Sequence, residues 1–394
     1  MVRASRMRLG SGLPLPTARH CFANLDSCTY LVSHSMGAAP LAARDELLAF
    51  WDAWSQHGPE AWVHWFDEIG EIADRIGRLI GAPAGSVGLA PNVSSLQATL
   101  ASSFSWTPTA GSRDEVVYEA LQFPSLAYVW EAWARHGARV TRVPSDDGHT
   151  IPTQRIVAAI GERTKIVVLS HAYFQSGALV DVPAVVARAK ACGALVVLDV
   201  YQTAGVYPVD VTALDVDVAI GGSHKWLCGG PGCGFIYVRP GLRRSFEPAA
   251  TGWMAHRTPF AFEPPPIDYA EGMLRFGGGT PSIQAYLGAR AGHRLIEEVG
   301  VPAIRSANVA LTQLILEEAD ARGIRTPTPR DPERRTGWIG LDVEDGERLS
   351  QELIARRIFV DYRPGCGIRV GPHFYTGAEE IHTLFRVLDE LRRR

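Results

Sequence analysis

The sequence predicts an α/β protein in which a mostly parallel sheet lies between two helical layers and leads into a smaller α+β C-terminal domain. Three observations predict this. Short β-branched runs recur at 115–118, 139–144, 165–170, 194–201, 216–220 and 234–238, with helical stretches between them. The runs are nearly continuously apolar, the pattern of strands buried on both faces. The chain has 394 residues, too many for one small core.

Residues 1–28 read as an N-terminal arm, mobile to about residue 25. From 41 to 80 apolar positions recur at three- and four-residue steps, interrupted by Pro59, which predicts helix. Trp51, Trp54, Trp62 and Trp65 fall in that stretch and suit a core or a subunit interface. Helix is expected over 96–104, and again over 182–192, where Gly193 closes it. After Pro281 a helical segment, 282–299, opens a mixed region with a strand at 338–343 and a closing helix at 379–392. The expected division is a large domain over 29–275 and a small one over 276–394, completed by the N-terminal segment. No internal repeat or low-complexity tract stands out.

Composition sets the outer limits. With 46% hydrophobic and 21% charged residues the chain is ordinary for a globular protein. A net charge of −3 gives no electrostatic case for nucleic acid or an anionic membrane. No run reaches the ~18 apolar residues that suggest a membrane span, and Arg3, Arg6 and Arg8 precede no apolar signal region. The six cysteines form no CxxC pair, so neither a metal site nor a disulfide framework is expected, and the cytoplasm is the default location.

The chemistry is concentrated at two strand ends. The run ALVVLDVY, 194–201, drives five apolar residues into Asp199, a costly place for an unpaired carboxylate. Twenty-six positions on, DVAIGGSHKWLCGGPG sets Lys225 just past a second apolar run, in a glycine-rich loop. Either residue alone has an ordinary reading, a capping aspartate or a surface lysine. In a parallel sheet both strand ends open onto one crevice, and together they match what pyridoxal 5′-phosphate requires. A lysine amine forms the Schiff base with the aldehyde and carries the α-proton. A carboxylate keeps the pyridine nitrogen protonated, so that the ring accepts the electrons of a carbanion. The phosphate needs amides at a helix N-terminus, and Asn92-Val93-Ser94-Ser95 ahead of 96–104 supplies such a site.

With these residues in view, the chain resembles the class V pyridoxal-phosphate enzymes, and among them the kynureninases, from about Leu31 to Tyr375. SHKWLCGGPG is similar to the kynureninase segment around the cofactor lysine, and LDVYQTAGVYPVD to its D-x-x-H-x-x-G segment. Gln122-Phe123-Pro124-Ser125 resembles F-P-[ST]-D, whose phenylalanine stacks on the cofactor ring. Thr251-Gly252-Trp253-Met254-Ala255-His256 resembles S-G-W-F-G-H, whose tryptophan binds phosphate. Gly279-Thr280 resembles a segment that reaches the phosphate of the neighbouring subunit's site. Asp361-Tyr362-Arg363-Pro364 through Arg369-Val370-Gly371-Pro372 resembles D-x-R-x-P-x-x-x-R-x-x-P, whose second arginine grips the substrate carboxylate.

The resemblance implies the three-layer αβα fold of the fold type I pyridoxal-phosphate transferases and a homodimer with shared active sites. Its cofactor-binding residues would be Val93, Ser94, Phe123, Ser170, Asp199, Gln202, Ser223, His224, Lys225, Trp253, Gly279 and Thr280. Lys225 and Asp199 would be catalytic, and Arg369 and Gln97 would meet an amino-acid substrate. The chain departs from the kynureninase pattern at the active site itself. Gln202 stands where kynureninases have histidine, as in cysteine desulfurases. His224 replaces a phosphate-binding tyrosine, Leu126 replaces the aspartate of F-P-S-D, and Gln97 lies near the position of a histidine that touches the aryl ketone. Cys366 lies three residues before Arg369, near where desulfurases carry a nucleophile, but the kynureninase-like segment accounts for that stretch without one. The expectation is a kynureninase-like lyase or hydrolase acting at the β-carbon of an L-α-amino acid. A C–S lyase, an epimerase and a decarboxylating or deaminating enzyme are the alternatives on the same scaffold. A catalytically dead binding module is the alternative from another class, and intact Lys225 and Asp199 argue against it.

Overall fold

A computed structural model describes residues 19–109 and 111–393. The first eighteen residues of the expected arm lie outside the described residues. From Arg19 onward the chain is no arm. Phe22 and Leu25 are buried, Phe22 packs on Phe374 and Tyr375, and Arg19 donates to the Glu380 carboxylate at 2.8 Å. These contacts with the C-terminal region hold a segment that composition alone makes look mobile.

Strand β1 (Thr29–Tyr30) is followed by helices α1 (Ala42–His57) and α2 (Ala61–Leu79), broken where Pro59 falls. Next come β2 (Val87–Ala90), α3 (Val93–Ala101), β3 (Glu115–Glu119), α4 (Pro124–Trp133), β4 (Arg139–Val143), α5 (Thr153–Ala159) and β5 (Thr164–Ser170). Then follow α6 (Val182–Ala191), β6 (Leu195–Asp199), β7 (Val218–Gly222) and β8 (Gly234–Val238). The seven-stranded sheet has the order β2-β8-β7-β6-β5-β3-β4. From β4 to β7 all pairs are parallel, while β8 runs antiparallel to both its neighbours.

The strand period of two separates the two cores. Ile166, Val168, Val197, Val218 and Ile220 face a cluster covered by Leu96, Leu126 and Trp130 of α3 and α4. Val167, Leu169, Val196, Leu198 and Ala219 face the other, with Ile72 and Ile76 of α2 and Val185 and Val186 of α6. The inner strands β5 to β8 are therefore buried on both sides, which is why their runs are nearly continuously apolar and the architecture has three layers.

The remaining chain holds α7 (Ile283–Val299), α8 (Val301–Asp320), β9 (Ile339–Leu341), α9 (Gly346–Ala355), β10 (Ile358–Phe359), β11 (Asp361–Arg363), β12 (Gly367–Val370) and α10 (Ala378–Arg392). The sheet β11-β12-β9 and helices α8 to α10 enclose a third cluster that also takes in Leu31. β1 pairs in parallel with β10, which brings the N-terminal segment into this part of the molecule. Helix α7 packs mainly on α1 and α2, and Tyr286 and Leu287 join the large core. Among the described residues no single helix is long and apolar enough to cross a membrane.

Candidate functional site

Strands β5, β6 and β7 end on the same side of the sheet, and a cavity opens there, the place where open α/β sheets bind ligands. Its walls include Val93, Ser94, Phe123, Ser170, Asp199, Gln202, His224 and Lys225. Eight of the twelve expected cofactor-binding residues thus meet in one cavity, and Asp199 and Lys225 share it.

Asp199 is the last residue of β6 and is 8% exposed; its Oδ1 accepts from the Tyr201 amide at 2.8 Å. Burial pushes its carboxyl up to about 6, against the Tyr201 amide and the Lys225 charge. Lys225 follows β7 in a tight turn. Burial pushes its ammonium down to about 8, and Asp199 opposes the shift. Its Nζ lies 4.5 Å from the ring centre of Tyr201 and 5.5 Å from that of Phe123. Phe123 itself is held edge-on by Phe174 at 5.2 Å.

His224 Nδ1 lies 2.9 Å from the Tyr201 hydroxyl. Burial and the Lys225 charge push the imidazole down to about 4, so it is neutral near pH 7. Tyr201 fits because Gly222 has no side chain: a Cβ there would overlap the phenol. Asn92 caps α3 by accepting from the Ser95 amide at 2.9 Å, and Val93 and Ser94 of the first turn line the cavity. Gln202 donates to the His34 carbonyl at 3.3 Å, while its Oε1 is buried without a partner among the described residues.

Six expected site residues do not line this cavity. Ser223 is turned into the core, where its hydroxyl meets His293 Nε2 at 2.9 Å. Gln97 sits one helical turn behind Val93 and does not line the cavity; it is fully buried, with neither amide atom partnered among the described residues. Trp253 packs with Trp62, Phe260 and Phe262, outside this chain's own cavity. Gly279 and Thr280 line a separate groove between α2 and β2. Arg369 is 3% exposed behind the cavity wall, and its Nη1 donates to the carbonyl of cavity-lining Phe174 at 2.9 Å. The sequence reading missed Tyr201, Phe174 and His34. Only Tyr201 had a local signal, two residues past Asp199 in the same loop.

The arrangement fits pyridoxal phosphate. An amine of lowered basicity faces a buried carboxylate, an orphaned glutamine oxygen sits beside them, and open helix amides close one end. Comparisons agree. The family model Aminotransferase class-V matches residues 67–385. A kynureninase of Pseudomonas fluorescens is 29% identical over 96% of this chain and 92% of its own length. An uncharacterized aminotransferase of Bacillus subtilis is 27% identical over 95% of this chain and 96% of its own. Among solved structures, a cysteine desulfurase from Thermococcus onnurineus superposes with a TM-score of 0.82 at 21% identity, covering 95% of this chain and 96% of that one. The cystine C-S lyase C-DES gives 0.83 at 21%, covering 93% and 98%. At such identity these two speak for the fold alone, which is that of the fold type I enzymes. The chain belongs to the class-V aminotransferase family, and its cofactor is pyridoxal 5′-phosphate.

Proposed function

We propose that the protein is a kynureninase-like lyase or hydrolase acting at the β-carbon of an L-α-amino acid. One observation carries the reading: Lys225 and Asp199 face one cavity whose other walls include Phe123, Phe174, Leu126 and Ala172, which suits an amino acid with an apolar β-substituent. The kynureninase relatives support it.

Bound pyridoxal phosphate supplies an electron sink for charge developing at the substrate α-carbon. The residues of this chain do the rest. Lys225, with a basicity near neutral pH, takes a proton from carbon and returns it. Asp199, ionised above about pH 6, is the carboxylate that would hold a proton on the cofactor's ring nitrogen. Phe123, which lines the cavity, would cover a face of that ring. Tyr201, oriented by neutral His224, supplies the hydroxyl that position 224 lacks. Arg369, whose Nη1 reaches the carbonyl of cavity-lining Phe174, would receive the substrate carboxylate through its remaining N–H groups.

Cys366 is 1% exposed and its thiol is pushed up to about 11, chiefly by burial. At neutral pH it is not a thiolate, which argues against a desulfurase route through a cysteine nucleophile. The assembly in this reading is a homodimer. Trp253, Gly279 and Thr280 lie outside this chain's cavity, and Trp51, Trp54, Phe260 and Phe262 are exposed apolar side chains suited to burial against a second copy. The six free cysteines fit a reducing compartment such as the cytoplasm.

The test is incubation of the cofactor-loaded protein with L-kynurenine, 3-hydroxykynurenine, S-conjugated cysteines and cysteine. Anthranilate or its hydroxylated form, released with alanine, supports the reading. Pyruvate or sulfide from the sulfur substrates alone replaces it with a C–S lyase.

A further inference from the structure

Resting on the reading of Arg369 as the carboxylate receptor, we propose that His34 and Asp361 are positioning residues that fix the Arg369 guanidinium for the substrate. Arg369 on β12 and Asp361 on β11 are direct cross-strand partners in an antiparallel pair. That register gives a two-pronged contact, Nε to Oδ1 at 2.8 Å and Nη2 to Oδ2 at 2.5 Å. With Nη1 on the Phe174 carbonyl and the guanidinium 5.3 Å from the Trp338 ring centre, the fork is held on three sides. N–H groups on Nη1 and Nη2 are left for a further acceptor.

The Asp361 carboxylate is itself anchored: its Oδ1 lies 2.9 Å from His34 Nε2. His34 is fully buried, and burial pushes its imidazole down to about 4. It is therefore neutral near pH 7 and donates through Nε2, while Nδ1 has no partner among the described residues. Burial works against Asp361, but electrostatic attraction to His34 and Arg369, together with the hydrogen bonds they donate, holds its carboxyl well below the usual range. At neutral pH the His34 anchor orients Asp361 without adding charge, while Arg363 adds a second cation, its Nη2 lying 3.3 Å from Asp361 Oδ2.

His34 reaches this place through the N-terminal segment. The Gly371 amide donates to the Leu31 carbonyl at 2.7 Å, and the Ser33 amide donates to the Gly371 carbonyl at 3.2 Å. A Cβ on Gly371 would overlap the His34 ring, so the glycine two residues after Arg369 makes room for the anchor. The His34 carbonyl also accepts from Gln202, which links the carboxylate receptor to the cofactor wall.

The experiment follows the visible absorbance of the cofactor-loaded protein titrated with L-alanine and with L-alaninamide, which lacks the carboxylate. Wild type is expected to favour L-alanine, and Arg369→Gln to erase the preference. His34→Phe and Asp361→Asn are expected to lose about tenfold or more of it, the scale of a hydrogen bond to a charged group. His34→Gln, whose amide N–H takes the place of Nε2, is expected to restore most of it. In the unmodified loaded protein, nitrogen NMR is expected to show His34 as the neutral Nε2–H form at pH 7. Full preference retained in folded His34→Phe and Asp361→Asn, or a charged or Nδ1–H His34, overturns the positioning role and leaves the Arg369 reading standing. A wild type that does not discriminate, or a preference that survives Arg369→Gln, removes that reading and the proposal with it.

Discussion

Lys225 is expected to capture its cofactor at a pH where an ordinary lysine is inert. Its ordinary value of 10.5 is lowered to about 8 by burial, with Asp199 opposing. At about 1.4 kcal/mol per pH unit, that disfavours the ammonium by roughly 3 kcal/mol. At about pH 7.5 roughly a quarter of Lys225 is then the free amine, against roughly a thousandth for an unshifted lysine, about two hundredfold more nucleophile. The assay strips the cofactor, mixes the protein with pyridoxal phosphate across the neutral and alkaline range, and follows the rate of imine absorbance. Because the shift is downward, the rate should rise with pH and reach its half-maximum near 8. Asp199→Asn removes the charge that holds the value up, so the midpoint should move lower still. A rate that keeps climbing beyond about pH 10, as for an unshifted lysine, or an Asp199→Asn midpoint that moves upward, would refute the burial argument.

The other predictions concern the frame around that pair. Tyr201→Phe keeps the ring beside Lys225 and removes the hydroxyl bonded to His224; cofactor absorbance should persist while turnover falls about a hundredfold, the range of a lost proton-transfer partner, and unchanged turnover would contradict the role. Gly222→Ala forces a Cβ into the Tyr201 phenol; thermal melting should show a loss of about 1–3 kcal/mol, with a displaced cofactor band. Asn92→Ala removes the α3 cap and should cost about 1 kcal/mol in urea unfolding, with weaker cofactor retention because the first-turn amides loosen. Sedimentation of the loaded protein should show a dimer at micromolar concentration; a monomer with full cofactor occupancy would count against the shared site.

Much of the candidate site was legible because strand ends are local features. An apolar run that stops at a carboxylate, or just before a lysine, announces its own end, and the parallel arrangement then puts Asp199 and Lys225 into one crevice. Tyr201 belonged to the same legible loop and was passed over. Ser223 and Gln97 were misplaced because a sequence match gives a position but not the direction of a side chain. Ser223 is satisfied by His293 from α7, seventy residues away, and Gln97 falls one turn too deep on α3.

By itself the sequence determined the inner strands, buried on two faces and therefore nearly continuously apolar. It determined the break at Pro59, the helix N-terminus at Asn92, and the residue types that cofactor chemistry needs. Only the tertiary structure decided the reversal of β8 and the anchoring of residues 19–28. It also decided the placement of Trp253 and Thr280 outside this chain's own cavity, and the line from His34 through Asp361 to Arg369. The physical reason is range. Periodicity and capping act within a few residues. The His34–Asp361 contact joins positions 327 apart, and it exists only because two segments pair in one register.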